Sequence, residues 1–280
     1  MKKEQIVHYY DTCEADYRLL WDLDYSHAMH AGYWDEKTKN LRQALRRENE
    51  ILAQRASIKK TDRVLDAGCG VGGSAIFLAQ TYGCDVVGIT LSEKQVLSAR
   101  RNAEKAKVKP LPTFAVMDYT RTTFPNESFD VVWAIESVCH VEDKALFIRE
   151  AFRLLKKGGR LILADGFAAQ PDYEGADRAR MERWLNGWGV KELDMASEFE
   201  DKLVEAGFSN IAFRDVTPHV MPSSKRLYIY SWPAIILSKL GELMGKRTVS
   251  QTENLYGARC QYQTLKKGLW RYGIFFAVKP

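Results

Sequence analysis

The sequence has few cysteines, and none is placed as a disulfide framework or a metal site would require. Its 280 residues include five cysteines, an odd number, with no CxxC pair and no other metal-like spacing. They are Cys13, Cys69, Cys84, Cys139 and Cys260. Reduced thiols are typical of the cytoplasm, where we therefore expect the protein, and we expect no metal. Residues 1–17 lack the apolar segment of a secretory signal.

A strong excess of one charge and a long apolar run are absent as well. The chain has 41 Lys and Arg against 36 Asp and Glu, a net charge of +5, without a basic block. This balance does not indicate a nucleic-acid partner. The most apolar late stretch, residues 227–244, is interrupted by Ser231, Pro233 and Lys239, so we expect no stable membrane insertion. We expect a small-molecule partner, and the sequence leaves a homo-oligomer open.

Short apolar segments alternate with helix-forming segments from residue 63 onward. Strands are expected at 64–66, 85–90, 113–117, 129–135 and 160–164, and helices at 73–82, 92–107 and 143–157. This alternation is typical of an α/β fold with a parallel sheet. Ligands of such sheets bind at the carboxyl ends of the strands, where we looked for the chemistry.

A glycine-rich loop, DAGCGVGG at residues 66–73, follows the first strand. It contains GxGxxG, a pattern that also occurs in nicotinamide and flavin dinucleotide sites. Two features favour S-adenosylmethionine (SAM) instead. Asp66 would repel a pyrophosphate but attract the ammonium and sulfonium groups of SAM. The second strand ends in GITLS, residues 88–92, without the acid that holds a dinucleotide ribose.

The segments after the second and third strands carry further candidate ligands of a nucleoside. Residues 92–95 are an S-x-x-Q capping box, which is by itself a structural signal for the start of a helix. The same run would border a ribose, while a carboxylate and an aromatic ring after the third strand would meet the adenine. These candidates are Thr90, Leu91, Gln95, Asp118 and Tyr119.

Glu136 and His140 follow the fourth strand, four residues apart. On a helical turn they would share one face. That spacing also suits a zinc pair, but no third ligand is apparent in the sequence. Glu136 is either a structural carboxylate or a catalytic group, and His140 is either a polar loop residue or a base that takes a proton.

Aromatic side chains are concentrated outside the predicted sheet. We expect Tyr25 to close over the cofactor and Tyr10 to take part in catalysis. The expected acceptor pocket is lined by His30, Trp34, Trp184 and Trp188. The run at 226–240 is either a lid over this pocket or an amphipathic surface in transient contact with lipid, and the lid interpretation is favoured.

These motifs together resemble class I SAM-dependent methyltransferases. The resemblance rests on VLDAGCGVGG, VVGITLSEKQ, VMDYT, FPNESFDVVWAIESVCHVEDK and RLLKKGGRLILAD, and covers about residues 60–168. It is strongest toward the branch of sterol and tocopherol C-methyltransferases and cyclopropane-lipid synthases. The resemblance implies a Rossmann-like, seven-stranded, mostly parallel sheet with helices on both faces and an antiparallel last strand near 273–278. It implies SAM contacts at Tyr25, Asp66, Gly68, Cys69, Gly70, Thr90, Leu91, Gln95, Asp118, Tyr119 and Glu136.

The resemblance also suggests how the chain is divided. Residues 1–59 would form a helical, aromatic cap and residues 60–168 the SAM-binding core. Residues 169–245 would supply a substrate-covering insert and lid with a core helix and strand. Residues 246–280 would supply C-terminal strands that complete the sheet.

The expected activity is C-methylation of an isoprenoid-like or other apolar small molecule, because ESVCH is similar to the motif of sterol methyltransferases. N- or O-methylation of an amine, phenol or carboxylate is the alternative. A nicotinamide-dependent oxidoreductase and a non-catalytic SAM-binding protein are more remote alternatives.

Overall fold

Seven strands form a single sheet in the computed structural model, which describes residues 12, 13, 16–18 and 20–280. The strands are β1 (Arg63–Ala67), β2 (Asp85–Thr90), β3 (Thr113–Val116), β4 (Phe129–Ile135), β5 (Leu155–Ala168), β6 (Ser209–Asp215) and β7 (Trp270–Val278). Their order across the sheet is β3-β2-β1-β4-β5-β7-β6. β1 to β5 pair in parallel, and β7 is antiparallel to both of its neighbours. The predicted sheet is confirmed, including its antiparallel last strand.

Helices cover both faces of this sheet. They are α1 (Leu23–Ser26), α2 (Leu41–Arg55), α3 (Gly73–Tyr82), α4 (Glu93–Ala106), α5 (Lys144–Leu154), α6 (Gly175–Gly187), α7 (Ala196–Glu205), α8 (Thr217–Leu243) and α9 (Val249–Lys266), with a 3-10 turn at Val138–His140. Within the described ranges, no helix has the length and apolarity that crossing a bilayer requires.

The alternation of side chains along β4 separates two apolar cores. Val131 and Trp133 point into the core beneath α2, α3 and α6, whereas Val132 and Ala134 point into the core beneath α5 and α7. Both cores are built on fully buried strands, as expected for a parallel sheet covered on two sides. β1 lies between β2 and β4, so the carboxyl ends of these three strands meet at one edge.

Three elements differ from the sequence prediction. Residues 246–280 supply one strand, not several, because residues 249–266 form α9. A capping box in which Thr248 and Gln251 bond each other's backbone N–H starts this helix. The helix expected to end at residue 157 ends at Leu154, since Leu155 already pairs with Phe129 in the sheet. The expected lid region lies in α8, which continues through two internal prolines.

Candidate active site

A cleft opens at the shared carboxyl ends of β1, β2 and β4. It holds about 880 Å³ of empty space, part of it open to solvent. Its walls come from the glycine loop, the start of α4, the segment after β4 and residues 27–30. The lining includes Asp66, Gly68, Cys69, Gly70, Thr90, Leu91, Ser92, Gln95, Tyr119, Glu136 and His140. The structure therefore brings together most of the residues singled out in the sequence.

The glycine loop leaves its backbone exposed to the cleft. Gly68 has a φ of +94°, and a Cβ there would lie 2.3 Å from Cβ of Ser137. Ser137 is itself held in place, because its hydroxyl donates to the carbonyl of Ala67 over 2.6 Å. Gly70 also has a positive φ, of +51°. Glycine is the residue that adopts these angles and allows this close approach without strain.

Asp66 is positioned to bind a cation in the cleft. It is 3% exposed at the base of the cleft, and burial raises its pKa to about 7. Its Oδ2 atom is buried and has no hydrogen-bond partner among the described residues. A buried carboxylate oxygen without a partner is costly, and such a group marks a site where a ligand completes the interaction.

The edge of the cleft along β2 and α4 is ordered by side-chain hydrogen bonds. The hydroxyl of Thr90 donates to Oε1 of Gln95 over 2.6 Å. Ser92 accepts from the backbone N–H of Gln95, so the predicted helix cap is present. The hydroxyl of Tyr119 donates to the carbonyl of Ser137 over 2.6 Å, which fixes its ring at the cleft wall. Asp118 is not among the lining residues; its Oδ1 accepts from Thr120.

Glu136 belongs to a buried cluster that sequence reasoning missed. Its Oε1 accepts from the backbone N–H of Ala31 at 2.6 Å and lies 2.8 Å from the hydroxyl of Tyr272. The same hydroxyl lies 2.7 Å from Oε1 of Glu48. Tyr272 has one proton and cannot donate to both carboxylates. We therefore conclude that one of the two carboxyl groups carries a proton, and burial together with Glu48 raises the pKa of Glu136 to about 8.

His30 completes this group, which we call the carboxyl cluster: His30, Glu48, Glu136 and Tyr272. Nδ1 of His30 lies 2.6 Å from Oε2 of Glu48, which also accepts from the backbone N–H of Gly32. Burial acts to lower the pKa of His30, but the Glu48 carboxylate outweighs it and the pKa is raised. The cluster thus anchors residues 30–32, which form a wall of the cleft and of the chamber behind it.

We expect Glu136→Gln to flatten the dependence of stability on pH. Because the pKa of Glu136 is raised above 4.5, the folded state binds the proton that the unfolded state releases. Its contribution therefore falls as pH rises from about 4.5 to about 8. The unfolding temperatures of the wild type and the variant are measured between pH 5 and pH 9, at intervals of about one pH unit. The slope of unfolding temperature against pH is then compared between the two proteins. The interpretation fails if the two slopes are equal.

An inner chamber lies behind the cleft and shares Met29, Glu136 and His140 with it; its empty space of about 640 Å³ is partly open to solvent. Its walls carry many aromatic rings and, among the lining residues, neither Lys nor Arg. The rings are those of Tyr17, Trp21, Trp184, Trp188, Trp270 and Tyr272. Asp165 also lines it; its carboxylate accepts from the backbone N–H of Cys139 and Gly166. The predicted pocket residues Trp184 and Trp188 therefore line the chamber, and His30 lines the cleft.

His140 lies where the cleft meets the chamber. Its Nδ1 is 3.1 Å from the carbonyl oxygen of Gly189, which can only accept, so Nδ1 carries a hydrogen. Burial lowers the pKa of His140, which keeps the ring neutral near pH 7. In the neutral ring the basic nitrogen is then Nε2.

Two aromatic candidates, Tyr25 and Trp34, are not brought to either space. Tyr25 is 71% exposed, with the guanidinium of Arg42 4.3 Å above its ring. Nε1 of Trp34 donates to the hydroxyl of Ser223, and Trp34 lines neither space. Tyr10 lies outside the described residues. The spacing of Glu136 and His140, which would also suit zinc, gains no third ligand in the part of the chain that the structure describes.

Glu48 carried a signal that could have identified it. It lies three residues after Leu45 and four before Leu52, on the buried face of α2, where a carboxylate is unusual without a partner. Tyr272 gave no comparable signal, because tyrosine is common in an apolar strand.

Comparisons with known proteins agree with this geometry. A family model described as a methyltransferase domain matches residues 65–163. The chain is 38% identical to 27-O-demethylrifamycin SV methyltransferase of Amycolatopsis mediterranei, over 73% of this chain and 75% of that protein. It is 26% identical to cycloartenol-C-24-methyltransferase of Arabidopsis thaliana, over 89% of this chain and 74% of the other.

A solved structure extends the likeness to the whole chain. The [4+2]-cyclase SpnF superposes with a TM-score of 0.79 at 23% identity, covering 100% of this chain and 97% of the other. At this identity the likeness concerns the fold alone, and the name of that protein shows that the fold also carries other chemistry.

Proposed function

The chain belongs to the class I SAM-dependent methyltransferases, and we propose that it methylates a neutral, apolar natural product bound in the inner chamber. The observation that carries the acceptor class is the chamber wall, where the described lining residues include six aromatic rings and neither Lys nor Arg. A carboxylate or phosphate acceptor would need cations there, since a buried charge requires a partner. Transfer of an apolar acceptor from water to this aromatic surface is favourable.

The cleft fits SAM on two observations. The unpartnered oxygen of Asp66 matches the ammonium group of SAM. The backbone of the glycine loop is left open by Gly68 and Gly70. We propose that Thr90, Leu91, Gln95 and Tyr119 border the nucleoside. SAM supplies a methyl group already activated by the sulfonium, so the protein's task is mainly to align the acceptor with it.

C-methylation of an isoprenoid-like double bond is the first candidate reaction. Attack by a double bond leaves positive charge on the acceptor, and aromatic faces stabilise such charge. The carboxyl group of Glu136, a member of the carboxyl cluster, lies at the same wall. His140 is then placed to take the proton whose loss restores a double bond.

O-methylation of a hydroxyl is the second candidate, favoured by the neutral state of His140 and by the likeness to 27-O-demethylrifamycin SV methyltransferase. Here Nε2 of His140 would accept the hydroxyl proton as the oxygen–carbon bond forms. Both reactions require the same histidine, so the position of the new methyl group has to be measured.

Incubation with SAM carrying a ¹³C-labelled methyl group tests the acceptor class. The panel comprises neutral prenyl compounds, phenols and aliphatic alcohols, with small amines and carboxylates as charged comparisons. We expect product only from the neutral apolar acceptors, and carbon NMR of the product separates C-methyl from O-methyl. Turnover of the charged acceptors alone would refute the proposal.

We expect His140→Gln to lower kcat about a hundredfold, at the lower end of the range for general-base catalysis. Because burial lowers the pKa of His140, wild-type kcat should stay level down to pH values below the usual histidine range. The matched control is His219→Gln, because His219 stacks on Tyr33 outside both spaces. Binding of S-adenosylhomocysteine should change little in either variant. Equal kcat in the two variants would make His140 a structural residue.

A further inference from the structure

Helix α8 is apolar on the side that faces solvent. Eight large apolar residues in and directly after this helix are between 47% and 86% exposed. They are Ile229, Tyr230, Trp232, Ile236, Leu237, Leu240, Leu243 and Met244. We call them the apolar face. Scattered apolar residues are normal on a surface, but a contiguous group of this size marks an interaction site.

The opposite, buried side of α8 is made largely of small polar residues. It carries Val220, Ser223, Ser224, Leu227, Ser231, Ile235, Ser238 and Gly241. Ser238 exchanges a hydrogen bond with Thr252 of α9 over 2.6 Å, and Ser224 donates to Gln261 of the same helix. The helix is therefore inverted relative to an ordinary surface helix, whose apolar side faces the core. Small residues that let helices approach, with apolar residues outside, are typical of helices surrounded by lipid.

Cations accompany the apolar face. Lys225 and Lys239 lie on the same side of the helix as Ile229, Trp232 and Ile236, by their spacings of three, four and seven residues. Both lysines are exposed, and Lys246 is exposed just beyond the helix. Glu242 is the single acidic residue between 225 and 247.

Two arginines are held against exposed aromatic rings of this face. The guanidinium of Arg226 lies 4.8 Å from the ring centre of Tyr230, and that of Arg259 lies 3.7 Å from the ring centre of Trp232. Tryptophan and tyrosine are enriched at membrane–water interfaces, where their rings lie at the level of the headgroups. Arginine beside them is suited to bind phosphate.

We propose that the apolar face of α8 docks on the surface of an anionic phospholipid bilayer. An apolar strip with cations along it matches lipid chains beneath a negative headgroup layer. A second copy of the chain is the less suitable occupant, because it would bring the same lysines against each other. The buried side of α8 contacts Gln261, which lines the inner chamber, so the docked surface lies one helix away from the proposed acceptor.

Vesicle sedimentation tests this without SAM or acceptor, so its outcome is independent of the proposed function. We expect the protein to bind vesicles of equal parts phosphatidylcholine and phosphatidylglycerol, and to bind pure phosphatidylcholine at least tenfold more weakly. Ile236→Ser combined with Leu240→Ser should reduce binding to the mixed vesicles at least tenfold. Lys225→Gln combined with Lys239→Gln should remove most of the preference for the anionic vesicles.

The matched control is Leu146→Ser combined with Val204→Ser. Both residues are exposed, at 44% and 59%, on α5 and α7 at the opposite face of the sheet, and this variant should bind like the wild type. Unfolding temperatures confirm that each variant is folded. Absence of wild-type binding to the mixed vesicles overturns the proposal, as does equal binding of the Ile236/Leu240 variant. A dimer that this variant dissociates, without vesicle binding, would assign the face to a second copy instead.

Discussion

Replacement of Asp66 by Asn is expected to weaken the binding of S-adenosylhomocysteine at least about thirtyfold at pH 8. The carboxylate is buried, and its Oδ2 has no partner within the described part of the chain. An ammonium group bound there would form a desolvated, charge-assisted hydrogen bond, and truncation of such a pair costs roughly 2–5 kcal/mol. Isothermal titration calorimetry with S-adenosylhomocysteine measures the loss directly.

The same carboxylate predicts how wild-type affinity depends on pH. Burial raises the pKa of Asp66 to about 7, so below that pH the free protein carries the neutral form, which does not attract a cation. Affinity should therefore fall as pH decreases from 8 to 6, by up to about tenfold per unit. Asp66→Asn has no group to ionise and should show a flat profile over this range.

Loss of folding cannot produce that result. A carboxyl group whose pKa is raised in the folded state destabilises the fold as pH increases past the unfolded value. Asp66→Asn is consequently expected to unfold at the same or a higher temperature than the wild type at pH 8. Asp165→Asn is the matched control, because Asp165 is buried in the inner chamber and not in the cleft. If both variants bind equally well, Asp66 is not a cofactor ligand.

The parts of this site that depend on local sequence could be predicted. Strand β1, the glycine loop and the start of α3 follow each other within twenty residues, and loop geometry is set by the glycines themselves. The cap formed by Ser92 and Gln95 is equally local. These features place the cleft, and the parallel order of the strands places Glu136 and His140 beside it.

The parts of the site that depend on contacts between residues distant in the sequence could not be predicted. Glu48 and Tyr272 are 224 positions apart, and they meet because β7 inserts between β5 and β6 while α2 packs against β5, the strand beside β7. The aromatic residues 25–34 all resembled candidate pocket residues, yet the direction of each ring is decided by its partner. Arg42 holds Tyr25 outside, and Ser223 holds Trp34 away from the cleft. No periodicity in the sequence indicates which residues these rings contact.

The continuity of α8 escaped prediction for a related reason. Its buried positions carry serine and glycine, so the apolar pattern marks the solvent side and gives the wrong face. Pro233 interrupts the apolar stretch in the sequence but does not end the helix. The helix persists because it packs along α9, where the serines supply hydrogen bonds to that partner.

Replacement of Glu48 by Ala is expected to lower the free energy of unfolding by about 3–5 kcal/mol, the cost of removing one partner from a buried ion pair. The substitution leaves the raised-pKa His30 without its carboxylate and removes acceptors for the backbone N–H of Gly32 and the hydroxyl of Tyr272. Of these contacts with residues 30–32, only the hydrogen bond from the backbone N–H of Ala31 to Glu136 would then remain. Urea unfolding at pH 7 measures the change.

Glu50→Ala is the matched control, on the same helix and two residues away. Glu50 pairs with Arg46 and Arg47 near the surface, and pairs of that kind contribute about 0–1 kcal/mol. Glu48→Gln should fall between the two, since its amide oxygen can still accept a hydrogen bond but carries no negative charge beside His30. If Glu48→Ala matched Glu50→Ala in stability, the carboxyl cluster would not be the anchor of the cleft wall, and its proton would have no part in holding the site together.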